Sequence, residues 1–543
     1  MKKKGDVEQF VTRSGYPVKR VYDHRDVQDL DPDKDLGEPG SAPYTRGAYP
    51  NMYRERPWRI FQLSGYGLPE DEGARIRFLL ETGEMGFIME PDLLTCWHLY
   101  DLDDPEVVCR KDDVGQTGAT LLSLRDYEIA LEGIHIEMTY AHPGAVTPQL
   151  SPFAHACYFS VAEKRGIPLS QLRGTGEGDM IIAYLATPGK EPIPPSAGIR
   201  LNCDLIEFCI EKAPKWVPVS ISAANARAGG LYKNEHELAL TLANAIAYVD
   251  EILSRGKLKI DDFAYKIAGV GLSTGGDFFE DIAKYRAARR MWHKLMKERY
   301  GAQAERSLRL RLHTNVGASM CSYQQPLNNI VRTTCGALAA ALAGTQSMGL
   351  ACYDEAICIP TEHAHMMAVR TQQILQLEIG ITDVVDPLGG SYYVEWLTNE
   401  VEKRSWQYLE EIEKRGGLVG ALESGWLHLE AKKGLLEQQR QLMNDEFKFV
   451  GVNCFLVEEE PHEIQVFRSP RVYEQAKARQ DKLKRERDNK KAQKALDKLR
   501  AVCKSGENVM PALMEAVKAD VTAGEVGNLW REVFSTWEAP LPI

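Results

Sequence analysis

Short apolar runs alternate with helix-length stretches from about residue 59 to residue 400 of this 543-residue chain. Alternation sustained that long implies parallel strands joined by crossover helices. Eight such units close into a (β/α)8 TIM barrel. The pattern predicts strands at 86–89, 135–138, 217–222, 265–269, 308–313 and 344–347. It predicts helices at 70–82, 235–254, 278–300, 328–343 and 363–378. Several of these strands end in Gly, Ser, Thr or Asn rather than bulky aliphatics. That points to a barrel axis lined by small polar groups and open to a ligand, unlike the usual filled core.

The chain is expected to divide into an extended N-terminal arm (1–58), the α/β barrel (59–400) and a mostly helical C-terminal extension (401–543). Residues 31–50 are rich in Asp, Gly and Pro with no sustained period. Residues 43–58, however, hold three tyrosines, a tryptophan and three arginines. Linkers are poor in aromatics, so this part of the arm is expected to lie against something. Residues 477–500 carry 11 basic and 4 acidic side chains on a helical pattern, a solvated face or a partner-contacting surface.

A net charge of −11 argues against a nucleic-acid binder, which needs a basic face. No apolar run approaches a membrane span; the best, 335–344, is far too short. The 11 cysteines include no Cys-x-x-Cys pair, as expected of reduced thiols in a cytoplasmic protein. Gly174-Thr175-Gly176-Glu177-Gly178-Asp179 lacks both the P-loop Lys and the Rossmann spacing, and reads as a strand-to-loop turn bringing Thr175 and Glu177 to a site. His363 and His365 lie two apart, on different sides of a helix, so no metal centre is expected. No Gly-x-Ser-x-Gly elbow is present.

Several ordered blocks carry a resemblance. They include Tyr44-Thr45-Arg46-Gly47, Met52-Tyr53-Arg54-Glu55-Arg56-Pro57-Trp58, Pro214-Lys215-Trp216, Asn328-Asn329, Gly344-Thr345-Gln346-Ser347, Asp354-Glu355-Ala356 and Val385-Asp386-Pro387. Through them the sequence resembles the large, acyl-CoA-binding chain of the methylmalonyl-CoA mutase family over almost its whole length. The resemblance implies coenzyme A threaded along the barrel axis and adenosylcobalamin at the barrel mouth. It implies a radical 1,2-rearrangement in which the protein positions the substrate, polarises the thioester and excludes water. The Asp-x-His-x-x-Gly motif whose histidine ligates cobalt is not found here. A separate small cobalamin-binding subunit is therefore expected as partner, in a heterotetramer of two large and two small chains. The basic stretch 477–500 is then a candidate docking surface or linker.

Residue by residue, the resemblance places Tyr49, Met52 and Arg56 against coenzyme A. Arg311 is a further acyl-CoA contact, and Glu378 a carboxylate gripping the adenosyl ribose. The pocket departs from the family pattern. A tyrosine is replaced by Leu63, an arginine by Thr187, and a glutamine by Glu177. The histidine that donates to the thioester oxygen becomes Asn225, which can donate a hydrogen bond but not a proton. Its neighbours become Ala224 and Ala228, and Arg227 adds a cation that could meet a substrate carboxylate. A Phe-Phe-Trp wall aligns with 268–271, including Gly269 and Gly271.

The catalytic expectation therefore rests on Asn225 and Glu177. Leu63, Thr175, Thr187, Arg227, Gly269 and Gly271 are expected to contact the substrate. The losses at Leu63, Ala224 and Gly269–Gly271 suggest space for a bulky, aryl-substituted succinyl-CoA or benzylmalonyl-CoA thioester. Two alternatives stay open: a mutase for a short branched or hydroxylated acyl-CoA, and a non-catalytic acyl-CoA-binding homologue.

Overall fold

The computed structural model describes residues 10–186, 192–458 and 471–540. Eight parallel strands form the barrel. They are β1 (Arg59–Ile60 and Leu63–Ser64), β2 (Gly86–Met89), β3 (Tyr140–His142), β4 (Arg173–Thr175), β5 (Trp216–Val217 and Ile221–Ser222), β6 (Gly269–Thr274), β7 (Arg311–Val316) and β8 (Ser347–Leu350). The first stretch of β1 pairs with β8 and the second with β2. The first stretch of β5 pairs with β4 and the second with β6. Two five-stranded sheets thus close on each other through two interrupted strands. The β5 interruption contains Pro218, which has no N–H for the ladder.

The strands alternate as a barrel demands, but with an unusual interior. In β7, Leu312, Thr314 and Val316 are buried, whereas Arg311, His313 and Asn315 keep accessible surface. In β8, Met348 and Leu350 are buried while Ser347 and Gly349 are not. The buried set packs outward on the helices, and the other set faces the axis. The axis is thus lined by hydroxyl, amide, imidazole and glycine, the small polar groups that the strand-end composition suggested, and these keep accessible surface. At the N-terminal end of the axis, the Arg59 guanidinium lies 4.4 Å from the Tyr140 ring centroid. Phe61 meets the same ring edge-on at 5.6 Å.

Outside the axis the packing is tight. A Cβ on Gly174 would lie 2.2 Å from the Ala141 carbonyl and 2.4 Å from the Trp216 ring. Neither a strand backbone nor a fully buried indole can move aside. Gly174→Ala is therefore expected to destabilise the chain by about 1–3 kcal/mol, read as a lower urea midpoint.

The aromatic part of the arm lies against the barrel. Tyr44, Thr45, Ala48 and Trp58 are buried. Arg289, on the helix Phe278–Lys294, donates to the Tyr44 and Thr45 carbonyls at 2.8 and 2.7 Å. The Tyr53 hydroxyl donates to the Thr345 carbonyl at 2.7 Å. Met52, Tyr53 and Trp58 share a core with Met348 and Leu350 of β8.

The C-terminal helices Val472–Glu486, Asn489–Ser505, Val509–Lys518 and Ala523–Phe534 share the core that covers β2 and β3. The basic stretch is fastened to its own chain. Arg479 pairs with Glu70, Lys484 with Asp101, Arg487 with Glu525 and Arg500 with Glu532. The helix Tyr392–Glu413 runs unbroken across residue 400 and packs on the barrel helices, so no structural boundary falls there. No helix among the described residues is long and apolar enough to cross a membrane.

Candidate active site

The C-terminal ends of β2 and β4 each deliver a carboxyl group. Glu90 follows β2, on the axial side with Gly86 and Ile88, and its Oε1 accepts from Trp97 Nε1 at 3.1 Å. Glu177 lies two residues beyond Thr175, the end of β4, and its N–H donates to the Ala145 carbonyl at 2.9 Å. The turn after Glu177 needs glycine: Gly178 has φ +59°, and a Cβ there would lie 2.6 Å from Asn202 Oδ1. Loss of hydration pushes the Glu177 carboxyl up to about 8, with Asp179 adding repulsion. The same loss, with Glu177 close by, holds Glu90 well above the ordinary carboxylate range, against the Trp97 hydrogen bond. The mouth therefore holds two carboxyl groups that resist ionising together.

Below them, Thr175 faces the axis and two imidazoles occupy its middle. His313 Nδ1 lies 2.9 Å from Ser347 Oγ and its Nε2 lies 3.1 Å from Asn315 Oδ1. Burial lowers His313 to about 4 and His142 to about 3, so both are neutral at pH 7.

Asn225 sits after β5, and its amide donates to Asp179 Oδ2 at 3.2 Å. Asp179 also accepts from the Ile181 amide at 2.7 Å. Leu63 stands at the mouth, 51% exposed. Gly269 has space beside it: a Cβ there would meet nothing closer than Val217 Cγ1, at 3.5 Å. At Gly271 the vacated volume is occupied, because a Cβ would meet Ser222 Oγ at 2.9 Å. Thr187 lies outside the described residues.

Three placements correct the sequence reading. Arg227 does not stand ready for a substrate carboxylate. Instead its guanidinium is buried, donating to Asn234 Oδ1 at 2.6 Å and lying 3.4 and 3.5 Å from Glu237 and Asp281. Its charge is already matched inside the protein. Met52 is buried against Gly47 and Gly344, so it anchors the arm and offers coenzyme A little surface. Glu378 caps the helix Glu362–Leu377, which runs antiparallel to β1. His365 Nε2 lies 3.3 Å from the Leu63 carbonyl, whereas Gln376 donates to the Trp58 carbonyl at 2.8 Å. Glu378 is thus at the N-terminal face of the barrel, a barrel length from Glu90 and Glu177.

Tyr49, Arg56 and Arg311 also mark that N-terminal face, with Arg59 and Arg173 at the starts of β1 and β4. Tyr49 is 37% exposed, with the Arg309 guanidinium 5.0 Å from its ring. Arg56 is exposed. Arg311 donates to the Tyr265 carbonyl at 2.7 Å and keeps accessible surface. The sequence reading missed Glu90, which its strand at 86–89 already aimed at the axis by parity. It also missed Glu355, although Asp354-Glu355-Ala356 is one of the blocks that carry the resemblance. Glu355 follows β8 at the mouth, and loss of hydration raises its carboxyl to about 7.

A family model described as methylmalonyl-CoA mutase matches residues 11–536. The chain belongs to the methylmalonyl-CoA mutase family. Its relatives include the 2-hydroxyisobutanoyl-CoA mutase large subunit of Aquincola tertiaricarbonis, 39% identical over 98% of this chain and 94% of that one. They include the methylmalonyl-CoA mutase of Cereibacter sphaeroides, 36% identical over 97% of this chain and 73% of the relative. The human mitochondrial methylmalonyl-CoA mutase is 32% identical over 97% and 69% respectively. The chain is accordingly an isomerase of the acyl-CoA mutase class, in a family that depends on adenosylcobalamin.

Proposed function

We propose that this chain is the large subunit of a mutase acting on a short, branched, hydroxylated acyl-CoA. The observation that carries the reading is the pair Glu90 and Glu177 at the mouth of a polar axis. A hydroxyl on the acyl group can exchange hydrogen bonds with such a carboxyl group, which both donates and accepts while it keeps its proton. An aryl ring would cover both while offering neither a hydrogen bond, leaving Glu90 with Trp97 alone and Glu177 without a ligand partner. The bulky-substrate expectation relied on joined empty volume, and Ser222 already occupies part of it at Gly271. The relative named for 2-hydroxyisobutanoyl-CoA agrees with a hydroxylated substrate.

The mouth also suits adenosylcobalamin, a broad group with large apolar faces. Leu63, Tyr323, Leu327 and Val331 are exposed there around the polar axis. These side chains would hold the corrin, and Glu355 would accept from the ribose hydroxyls in the role expected of Glu378. When bound, the cofactor supplies the carbon radical that begins and ends the rearrangement. Cobalt would be ligated by a histidine of the small partner subunit, in an assembly of two large and two small chains.

The chain's own residues bind, orient and shield. Arg56, Arg59, Arg173 and Arg311 at the N-terminal face would pair with the phosphates of coenzyme A. The axis would then hold the pantetheine extended, with the acyl group delivered to Glu90 and Glu177. The seated substrate excludes water from the carbon being rearranged.

Anaerobic assays with adenosylcobalamin and a small cobalamin-binding chain test this. Turnover of 2-hydroxyisobutanoyl-CoA should exceed that of isobutyryl-, methylmalonyl- and benzylsuccinyl-CoA by at least about tenfold, because a site built to bind a hydroxyl rejects analogues without it. Preference for the aryl thioester would reverse the assignment.

A further inference from the structure

We propose that His142 donates the hydrogen bond that polarises the thioester carbonyl of the bound acyl-CoA, the role the resemblance gave to the position of Asn225. This rests on the acyl-CoA reading above and adds a residue that reading does not use.

The side chain of His142 lies on the same face of β3 as Tyr140, whose ring meets Arg59 and Phe61 at the axis. It is 3% exposed, and neither Nδ1 nor Nε2 has a hydrogen-bond partner among the described residues. Buried polar groups are nearly always paired, and an orphaned one costs about 1–3 kcal/mol. An imidazole with both ends open beside a ligand channel is therefore a group kept for the ligand. Its competitors are partly or wholly engaged: Asn225 gives one N–H of its amide to Asp179, and both nitrogens of His313 have partners. Burial keeps the His142 ring neutral, with one N–H and one lone pair. Such a ring can polarise a carbonyl without protonating it, and a radical rearrangement needs no more.

Register supplies the spacing. Ile88 pairs with His142 across β2 and β3, so Glu90, two residues on, stands one side-chain level nearer the mouth. Two residues of strand span about 6.6 Å. A carbonyl and a hydroxyl on adjacent carbons, each hydrogen-bonded outward, bridge a gap of that order. His142 and Glu90 thus form a two-point ruler for a 2-hydroxyacyl thioester. The N-terminal arginines would hold the other end of the molecule.

The test is isotope-edited infrared spectroscopy of carbonyl-¹³C 2-hydroxyisobutanoyl-CoA bound to the full chain without cobalamin. The thioester band should move to lower wavenumber on binding. The shift should vanish in His142→Phe, survive in part in His142→Gln, which keeps an N–H donor, and stay unchanged in Asn225→Ala. In the holoenzyme, His142→Phe should lower kcat about 100-fold with little change in KM. A shift that survives His142→Phe, or one that disappears in Asn225→Ala, overturns the assignment. Should His142→Phe fail to bind free coenzyme A, His142→Gln and Asn225→Ala decide by the same criterion. Failure of the unsubstituted chain to bind any acyl-CoA would instead overturn the substrate reading itself.

Discussion

Glu237→Leu is expected to cost about 3–5 kcal/mol of stability, the usual loss when one partner of a buried ion pair is removed. Glu237 is fully buried on the helix Asn234–Ser254. Its Oε2 accepts from Lys284 Nζ at 2.6 Å and lies 3.4 Å from Arg227. Its Oε1 accepts from the Ser273 amide at 2.6 Å and hydroxyl at 2.9 Å. The substitution leaves two buried cations with Asp281 as their shared ion-pair partner and frees two donors at the axial end of β6. Glu237→Gln keeps acceptors for Ser273 but not the charge, and should lie between wild type and Glu237→Leu. The urea midpoints of the three chains check the order. An unchanged midpoint in Glu237→Leu would mean that the cations find water. Because Ser273 faces the axis, the leucine variant should also lose acyl-CoA affinity.

The second large effect is on pH dependence. Glu177 has a carboxyl raised to about 8 in the folded chain, while in the unfolded chain it ionises near 4.5. Between those values the folded state holds a proton that the unfolded state has lost, so stability falls as pH rises. The contribution is fully present below about 4.5 and is lost on passing about 8. Glu177→Gln never ionises, so it should be more stable than wild type at pH 8 and nearly equal to it at pH 4.5. Urea midpoints across that range test the sign. A wild-type midpoint that rises with pH relative to Glu177→Gln would contradict the raised carboxyl. Acyl-CoA carrying a hydroxyl should flatten the wild-type slope by giving the ionised carboxylate a donor.

The helices are legible almost to the residue. The expected 235–254 is observed as Asn234–Ser254, and 328–343 as Asn328–Leu342. Each carries an apolar stripe that must pack on strands. Among the strands, 86–89 is observed as Gly86–Met89, while several others lie C-terminal to the expected span. The expected 308–313 is observed as Arg311–Val316, 344–347 as Ser347–Leu350, and 265–269 as Gly269–Thr274, with Tyr265 in the preceding helix. Residues 135–138 form a turn before β3. The cause is the open axis. Half of each strand carries Gly, Ser, His or Asn toward a ligand, which removes the apolar signal from the strand's C-terminal half. The segments hardest to recognise as strands are thus those that build the site.

The candidate residues divide on similar grounds. Glu177 and Leu63 lie at the mouth because the turn and strand that carry them are local. Arg227 looks available in the sequence because its neutralising partners, Glu237 and Asp281, lie on two other helices and meet it only when these are packed. Glu378 looks usable because direction along a helix is invisible until the helix is packed. His142 gives no signal at all: a lone histidine before Pro143 shows its open nitrogens only once its neighbours are in place.

Each half of the barrel is buttressed by a different end of the polypeptide. The arm braces the side containing β7 and β8, and the C-terminal helices brace the side containing β2 and β3. Trimming from one terminus therefore strips the apolar backing from one half while leaving that of the other in place. The two ends act as independent clamps on one substrate passage, and neither can be discarded as a tail.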